Sequence, residues 1–311
     1  MSAKWTTEEI PDQHGRTAVV TGANSGLGLV TARELARAGA SVTLACRNTD
    51  KGAHAAREIE AAVPGAATEV AALDLGSLAS VQAFAEQFRS AHDGLDLLIN
   101  NAGVMAPPRQ VTTDGFELQL GTNYLGHFAL TGRLLGAMQG RDEARVVTLS
   151  SNAHKMGRID LDDLQSEHGY RRWRAYGQSK LADLLFALEL DRRLRADGSV
   201  VRSFAAHPGY AATNLQSAAP PMLDRLVMSV SNRLMAQSAE MGALPTLYAA
   251  TQPGLEGGTY VGPDGIGEFR GHPVPVSPNS AARDRQMASR LWDAAEQLTG
   301  VSFSLGASTS V

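Results

Sequence analysis

Short runs of apolar and β-branched residues alternate with longer segments whose apolar residues recur at helical spacing. The short runs predict strands at 17–20, 41–45, 70–73, 95–99 and 145–149. The longer segments predict helices at 27–38, 49–63 and 80–88. A strand that alternates with a helix in this way indicates an α/β fold, in which a doubly wound parallel sheet carries helices on both faces.

The same pattern continues without a linker or an internal repeat, which predicts one domain over residues 15–301. Residues 1–14 form an N-terminal arm in this interpretation. The small, polar residues 302–311 are expected to be a flexible tail.

Charge and cysteine content exclude several classes of function. The 28 Lys and Arg are balanced by 32 Asp and Glu, and without a dense basic stripe we expect no nucleic-acid partner. Cys46 is the only cysteine, so we expect no disulfide, no thiolate zinc site and a reducing, cytoplasmic location. No secretory signal and no membrane-spanning segment is apparent.

A glycine-rich segment, Thr21 to Gly28, lies between the first predicted strand and the first predicted helix. Glycines at such a turn let the backbone approach a dinucleotide pyrophosphate, which then lies at the positive helix N-terminus. The spacing is GxxxGxG rather than GxGxxG. At this point a purely structural turn is an equal alternative.

Arg47 stands at the end of the second predicted strand, 19 residues after Gly28. An acidic residue here would bind the ribose 2′-hydroxyl of NAD, whereas an arginine suits the 2′-phosphate of NADP. Arg47 therefore favours NADP(H) over NAD(H), with a solvated surface arginine as the alternative.

Tyr176 and Lys180 are four residues apart at the start of a predicted helix, so their side chains share one face. A phenol is a weak acid and base at neutral pH, but a neighbouring ammonium group favours the phenolate. The pair is therefore a candidate for proton transfer, although such spacing also arises by chance.

These features, taken in order, resemble the short-chain dehydrogenase/reductase family over roughly residues 15–262. The matching segments are Thr21–Gly28, Asp74-Leu75, Asn100-Asn101-Ala102-Gly103, Asn123, Ser150-Ser151, Tyr176–Lys180 and Pro208-Gly209. The phrases at 44–47, 123–128 and 179–182 resemble the retinol dehydrogenase and WW-domain oxidoreductase branch. The resemblance implies a Rossmann-type fold and an alcohol dehydrogenase or carbonyl reductase.

The resemblance also implies roles for individual residues. Tyr176 would be the general acid and base, assisted by Lys180. Ser151 would hydrogen-bond the reacting oxygen, and Asn123 would complete a water-linked proton relay. The implied cofactor-binding residues are Gly22, Asn24, Ser25, Gly26, Leu27, Gly28, Arg47, Asp74, Leu75, Asn100, Ala102, Gly103, Tyr176, Lys180, Pro208, Gly209 and Thr213.

One spacing departs from the family pattern. Ser151 and Tyr176 are 25 residues apart, because a polar insertion at 158–174 separates them. An inserted loop could cover the helices through which many relatives dimerise, so a homodimer is possible but is not predicted by the sequence. Ser150 is the competing candidate for the serine, His127 is expected to pack in a helix, and no metal-ligand spacing is present.

A methionine-rich segment at about 214–243 includes Met222, Met228, Met235 and Met241. It predicts either a mobile lid over an apolar substrate or a helical hairpin packed on the core. With the branch resemblance, it suggests a retinoid, steroid or long-chain aldehyde as substrate. A cofactor sensor without turnover and a double-bond reductase are the alternatives.

Overall fold

The computed structural model describes residues 4–210 and 237–304. The strands are β1 (Thr17–Thr21), β2 (Ser41–Cys46), β3 (Thr68–Ala72), β4 (Leu97–Asn100), β5 (Arg145–Leu149), β6 (Arg202–Ala206), β7 (Tyr260–Pro263) and β8 (Pro273–Pro275). The helices are α1 (Gly26–Arg37), α2 (Thr49–Ala62), α3 (Leu78–Ala91), α4 (Gly126–Met138), α5 (Arg172–Ala196), α6 (Ala239–Thr251) and α7 (Arg285–Thr299).

The eight strands form one sheet in the order β3-β2-β1-β4-β5-β6-β7-β8. Each neighbouring pair from β3 to β7 is parallel, and β8 runs antiparallel to β7. The predicted doubly wound α/β fold is confirmed. The last three strands were not predicted; β7 and β8 span only four and three residues, whereas β6 spans five.

Helices cover both faces of the sheet, and each face carries its own apolar core. One core joins α1, α2 and α6 through residues such as Leu35, Ile59 and Leu247. The other joins α3, α4 and α5 through residues such as Phe84 and Leu185. Because the central strands are buried on both faces, they read as apolar runs rather than as alternating patterns.

Helix α7 lies against the outer side of α4 and α5. Its Trp292 meets Phe128 at a ring-centroid distance of 5.0 Å and Phe186 at 5.8 Å. Phe303, which we expected in a flexible tail, instead packs on Phe128 at 4.8 Å. The aromatic ring is the reason: its packing against Phe128 holds residues 302–304 on the helices. The other domain limits stay predictions.

The insertion packs against the segment that leads into α4. The Asp160 amide donates to Gln178 Oε1 at 3.1 Å, and Gln178 Nε2 donates to the Leu164 carbonyl at 3.0 Å. The Tyr170 hydroxyl donates to the Pro107 carbonyl at 2.9 Å. The insertion therefore packs on α5 and on the segment before α4, while α7 and Phe303 occupy the outer side of α4 and α5.

Within residues 4–210 and 237–304, we find no helix with the length and apolarity that a membrane crossing requires. Residues 214–236, which are most of the lid predicted at about 214–243, lie outside the described part of the chain. The last residues of that segment begin α6.

Candidate active site

The candidate residues converge on one edge of the sheet. In a parallel sheet the carboxyl ends of all strands meet at the same edge, where α/β proteins bind their ligands. The glycine-rich turn follows β1, Arg47 follows β2 and Ser151 follows β5. Pro208 follows β6, and α5 carries Tyr176 across the same edge.

The glycine-rich turn is packed too tightly for larger residues. Gly22 has φ +67° and Gly26 has φ +56°, backbone angles that favour glycine. A methyl group on Gly28 would stand 2.5 Å from both Asn101 Nδ2 and the Gly22 carbonyl oxygen. Helix α1 begins at Gly26, so the backbone of the turn is open to an anion at its N-terminus. Asn24, Ser25 and Gly26 are half-buried at the surface of the turn, whereas the Leu27 side chain is buried beneath it.

A buried hydrogen-bond network ties this turn to α4. Thr21 Oγ1 accepts from the amides of Asn101 and Ala102, both at 2.9 Å, and lies 2.8 Å from His127 Nε2. The other ring nitrogen of His127, Nδ1, lies 2.7 Å from the Asn123 carbonyl oxygen. A carbonyl only accepts, so Nδ1 carries the proton and Nε2 accepts from Thr21. Burial lowers the pKa of His127 to about 3, which keeps the ring neutral.

Asn123 lies in a π-helical turn, Leu120–Leu125, that runs directly into α4. Such turns widen the helix and frequently occur at functional sites. Asn123 Oδ1 accepts from the Val104 amide at 2.7 Å, and Nδ2 donates to the Val104 carbonyl at 3.0 Å and to Ser179 Oγ at 2.9 Å. The Asn123 side chain therefore links the segment after β4 to α5 by hydrogen bonds.

Tyr176 and Lys180 lie on the first turns of α5, as predicted. Trp173 packs edge-on against the Tyr176 ring at a centroid distance of 6.1 Å. Lys180 is buried, and its Nζ donates to the Leu149 carbonyl and to Asp183 Oδ2, both at 2.9 Å. The ammonium group is thus held between the end of β5 and a buried carboxylate.

Burial and charge act on this ion pair in opposite directions. Burial favours the neutral form of Lys180, but the Asp183 carboxylate and the Tyr176 phenol outweigh it and raise the pKa of Lys180. For Asp183, burial is the larger effect and raises the pKa to about 6. At neutral pH both groups are charged, and Lys180 keeps its proton.

The two candidate serines have different environments. Ser150 is buried, and its hydroxyl donates to the Lys180 carbonyl at 2.7 Å. Ser151 is half-buried, and its Oγ accepts from the Ala153 amide at 3.2 Å. The Ser151 hydroxyl proton is therefore available for another acceptor, whereas that of Ser150 is already used.

The residues predicted to bind adenosine differ in their accessibility. Arg47 is exposed at the end of β2, and Asp74 is half-buried, with Oδ1 accepting from the Gly76 amide at 2.9 Å. Leu75 is buried. The Asn100 side chain is buried and donates to Thr131 Oγ1 at 3.0 Å, and its part in an adenosine pocket stays a prediction. Ala102 and Gly103, which follow it, are half-buried.

The turn after β6 is held by a cluster that the sequence analysis did not identify. His207 is buried, and its Nε2 lies 3.0 Å from Glu268 Oε2 in the loop between β7 and β8. The hydrogen bond to His207, aided by Lys155, lowers the pKa of Glu268 to about 2. Pro208 and Gly209 follow His207 directly and are half-buried. Thr213 lies outside the described residues.

The sequence analysis thus missed or underestimated three contributions to the candidate active site, namely those of Asp183, Glu268 and the bridging ring of His127. Asp183 carries a sequence signal, a charge within an apolar helical stretch, but this signal is equally typical of a surface face. Glu268 carries none, since its partner lies 61 residues away. No cluster of possible metal ligands occurs in the part of the chain that the structure describes.

Comparison with protein families gives a match to a family model described as short chain dehydrogenase over residues 16–224. Polyprenol dehydrogenase from Mus musculus is 43% identical over 296 residues, covering 94% of this chain and 86% of that protein. Retinol dehydrogenase 12 from Mus musculus is 40% identical over 301 residues, covering 96% of this chain and 90% of that protein.

Solved structures of other proteins also resemble this chain. An uncharacterised protein from Mycobacterium paratuberculosis superposes with a TM-score of 0.81 at 48% identity, covering 97% of this chain and 99% of the other. A protein from Beutenbergia cavernae, provisionally assigned as an NAD(P)-dependent gluconate 5-dehydrogenase, has NADP bound at low occupancy. It superposes with a TM-score of 0.61 at 28% identity, covering 78% of this chain and 92% of the other.

Proposed function

Because this chain belongs to the short-chain dehydrogenase family, whose members are NAD(P)-binding oxidoreductases, we propose that it interconverts an alcohol and a carbonyl with NADP(H). One observation carries the proposal: Tyr176, Lys180 and Ser151 lie at the same sheet edge as the glycine-rich turn. We place the substrate among lipophilic alcohols and carbonyls, such as retinoids, steroids or long-chain aldehydes.

The residues present fit a dinucleotide. The turn is too tightly packed at Gly22 and Gly28 for a side chain, and it leads directly into the N-terminus of α1, where a pyrophosphate would lie. Asp74 and Leu75, with the backbone of residues 100–103, lie where the adenosine would be held. Pro208 and Gly209 would flank the nicotinamide, which would supply the hydride chemistry.

Tyr176 gives a proton to the carbonyl oxygen during reduction and takes it back during oxidation. The Ser151 hydroxyl hydrogen-bonds the same oxygen and stabilises the negative charge that develops on it. Its environment supports this assignment over Ser150, because the hydroxyl of Ser150 is committed to the Lys180 carbonyl.

Lys180 holds the nicotinamide ribose and places a positive charge beside the Tyr176 phenol. Two of its three ammonium hydrogens are bound by Leu149 and Asp183, which leaves one for the ribose. Both side-chain amide hydrogens of Asn123 are used within the protein, so a relay water would bind this residue at one of its oxygens.

Arg47 supports NADP(H) over NAD(H). Its side chain is exposed at the end of β2, and among the described residues no hydrogen bond or ion pair holds its guanidinium group. An unpaired guanidinium in this position can bind the 2′-phosphate, which NAD lacks.

Four exposed apolar side chains support a lipophilic substrate. Met156 follows Ser151 in a short helix, and Trp173 contacts Tyr176. Ile266, which is 96% exposed, and Phe269 lie in the β7–β8 loop. Asn152 binds this loop by donating to the Glu268 carbonyl at 3.1 Å. These side chains give the surface near Ser151, Tyr176 and the β7–β8 loop an apolar character, and a lipophilic molecule could cover it.

Titration of the purified protein with NADPH and NADH, followed by assays on retinal, steroid ketones, long-chain aldehydes and small polar ketones, tests the proposal. We expect tighter binding of NADPH and turnover of one lipophilic class. Equal turnover of small polar ketones would refute the substrate class. Cofactor binding without any turnover would refute the enzymatic function and favour a cofactor sensor. Reduction of enones alone would favour a double-bond reductase.

Tyr176→Phe tests the proton donor. It removes the hydroxyl and keeps the ring against Trp173, so we expect activity to fall by about 10²-fold or more with NADPH binding unchanged. Tyr248→Phe, on α6 against Trp5, is the matched control and should keep full activity. Activity retained in Tyr176→Phe would show that another group transfers the proton.

A further inference from the structure

Glu268, in the β7–β8 loop, binds two separate parts of the candidate active site through one carboxylate oxygen. Its Oε2 lies 3.0 Å from His207 Nε2, in the turn that follows β6. The same oxygen lies 3.1 Å from Lys155 Nζ. Lys155 belongs to the serine loop, residues 151–157, which begins at Ser151 and continues into a short helix. One carboxylate therefore joins the turn after β6 to the serine loop.

The His207 ring connects this carboxylate to the backbone of the turn after β6. Its Nδ1 accepts a hydrogen bond from the Gly209 amide at 3.2 Å, so the ring proton is on Nε2 and is donated to Glu268. Burial lowers the pKa of His207, which keeps the ring neutral. The carboxylate thus fixes the orientation of the ring, and the ring holds the Gly209 amide next to Pro208.

The backbone of the β7–β8 loop makes the same two connections. The Phe269 carbonyl accepts from the Tyr210 amide at 2.8 Å, on the side of the turn after β6. Asn152 Nδ2, on the side of the serine loop, donates to the Glu268 carbonyl at 3.1 Å. Glu268 has φ +58°, a left-handed conformation that residues other than glycine rarely adopt and that persists where surrounding contacts fix it. The loop is therefore held in this form by both parts of the site.

The stability of the fold does not explain the carboxylate. The side chains of Lys155 and Glu268 are 42% and 25% exposed, and an ion pair so open to water stabilises a protein little. Strands β6 and β7 pair directly in the sheet, so the turn after β6 and the β7–β8 loop are neighbours without any side-chain contact. What the carboxylate adds is a fixed separation between the turn after β6 and the serine loop.

We propose that Glu268 is a positioning residue that holds Ser151 and the Pro208-Gly209 turn at a fixed separation, and thereby the reacting oxygen against the nicotinamide. The consequence for catalysis rests on the proposed function, because only a dehydrogenase needs this separation for hydride transfer. A misplacement of about 1 Å can lower such a rate by about 10²-fold. The link between the two segments does not depend on turnover.

Three variants separate the two ends of this link. Glu268→Ala removes the contacts of the carboxylate to His207 and Lys155. Glu268→Gln keeps an oxygen that can accept from both and removes only the charge. Lys155→Met removes the contact to the serine loop and keeps the contact to His207. Circular dichroism checks that each variant is folded.

Glu256→Ala is the matched control. Glu256 is also a loop carboxylate near β7, and its Oε1 accepts from Arg195 Nη1 at 3.1 Å. It contacts neither the turn after β6 nor the serine loop among the contacts that the described residues make. Its replacement should leave cofactor binding and kcat unchanged.

Kinetics and NADPH titration measure the effect of the link on catalysis. Glu268→Ala should lower kcat and weaken NADPH binding by about 10-fold each, because both ends of the link are lost. Glu268→Gln should restore both values to within about threefold of the wild type. Lys155→Met should lower kcat by about fivefold and leave NADPH binding unchanged. In the Glu268→Ala background, Lys155→Met should have no further effect, since its partner is already absent.

Hydrogen–deuterium exchange of the cofactor-free proteins measures the link without any turnover. Glu268→Ala should raise the exchange rate by about fivefold in peptides that cover residues 151–157 and 207–210. Lys155→Met should raise it in the first peptide only, and Glu256→Ala in neither.

Unchanged exchange in both peptides of folded Glu268→Ala would overturn the proposal. So would a kcat that Glu268→Ala leaves unchanged, or a loss that Glu268→Gln fails to restore, since the latter would show that charge and not position matters. Raised exchange in a protein without turnover would support the link while refuting the proposed function. Turnover with unchanged exchange would do the reverse.

Discussion

Protonation of His127 should destabilise this protein at mildly acidic pH. The ring is 2% exposed and joins the Thr21 hydroxyl to the Asn123 carbonyl, so it connects the glycine-rich turn with the π-helical turn. A proton on Nε2 would place a donor against a hydroxyl that already accepts two backbone amides. It would also leave a buried charge without a counterion.

The magnitude follows from the difference in pKa between the folded and unfolded states. Burial lowers the pKa of His127 to about 3, from 6.5 in an exposed histidine. The folded pKa is depressed, so the contribution to stability is complete above pH 6.5 and is lost as the pH falls towards 3. Each pH unit in this window costs about 1.4 kcal/mol, which gives about 2 kcal/mol between pH 7 and pH 5.

Urea unfolding at pH 7, 6 and 5, followed by circular dichroism, measures this loss. His127→Gln removes the titrating group and keeps a donor and an acceptor, so its free energy of unfolding should fall by about 2 kcal/mol less over this range than that of the wild type. His54→Gln, at an exposed position on α2, is the matched control and should follow the wild type. His154 and His207, whose pKa values burial also lowers, are present in all three proteins and cancel in the comparison.

A difference below about 0.5 kcal/mol between wild type and His127→Gln would refute this reasoning, since it would mean that the folded protein binds the proton nearly as well as the unfolded chain. A difference of opposite sign would show that protonation of His127 stabilises the fold.

Two further substitutions test the cofactor site. Arg47→Asp should weaken NADPH binding and improve the relative binding of NADH, because the 2′-phosphate loses a cation and meets a carboxylate. An unchanged ratio of the two dissociation constants would show that Arg47 does not bind the 2′-phosphate. Gly28→Ala should abolish measurable NADPH binding and lower the melting temperature, because its methyl would stand 2.5 Å from Asn101 Nδ2 and the Gly22 oxygen. Gly136→Ala, at an exposed position of α4 with no atom within 4 Å of the added methyl, should instead stabilise the protein by about 0.5–1 kcal/mol.

Features encoded over a few neighbouring residues were predictable from the sequence. The strand, glycine-rich turn and helix at 17–37 form a contiguous unit, and Tyr176 and Lys180 share a helix face because they are four residues apart. The parallel order of the sheet followed from the alternation of strands and helices, which permits few other arrangements. The family membership rests on the same local motifs.

The tertiary structure decided what depends on residues distant in sequence. The sequence could not distinguish an Asp183 on a solvated face from one buried beside Lys180, because only packing determines which side of α5 is covered. The choice between Ser150 and Ser151 likewise depends on how the end of β5 meets α5. Glu268 reaches His207 only because β7 and β6 are neighbours in the sheet. Local pattern determines the elements and their chemistry, whereas burial and long-range pairing determine which charges are held together.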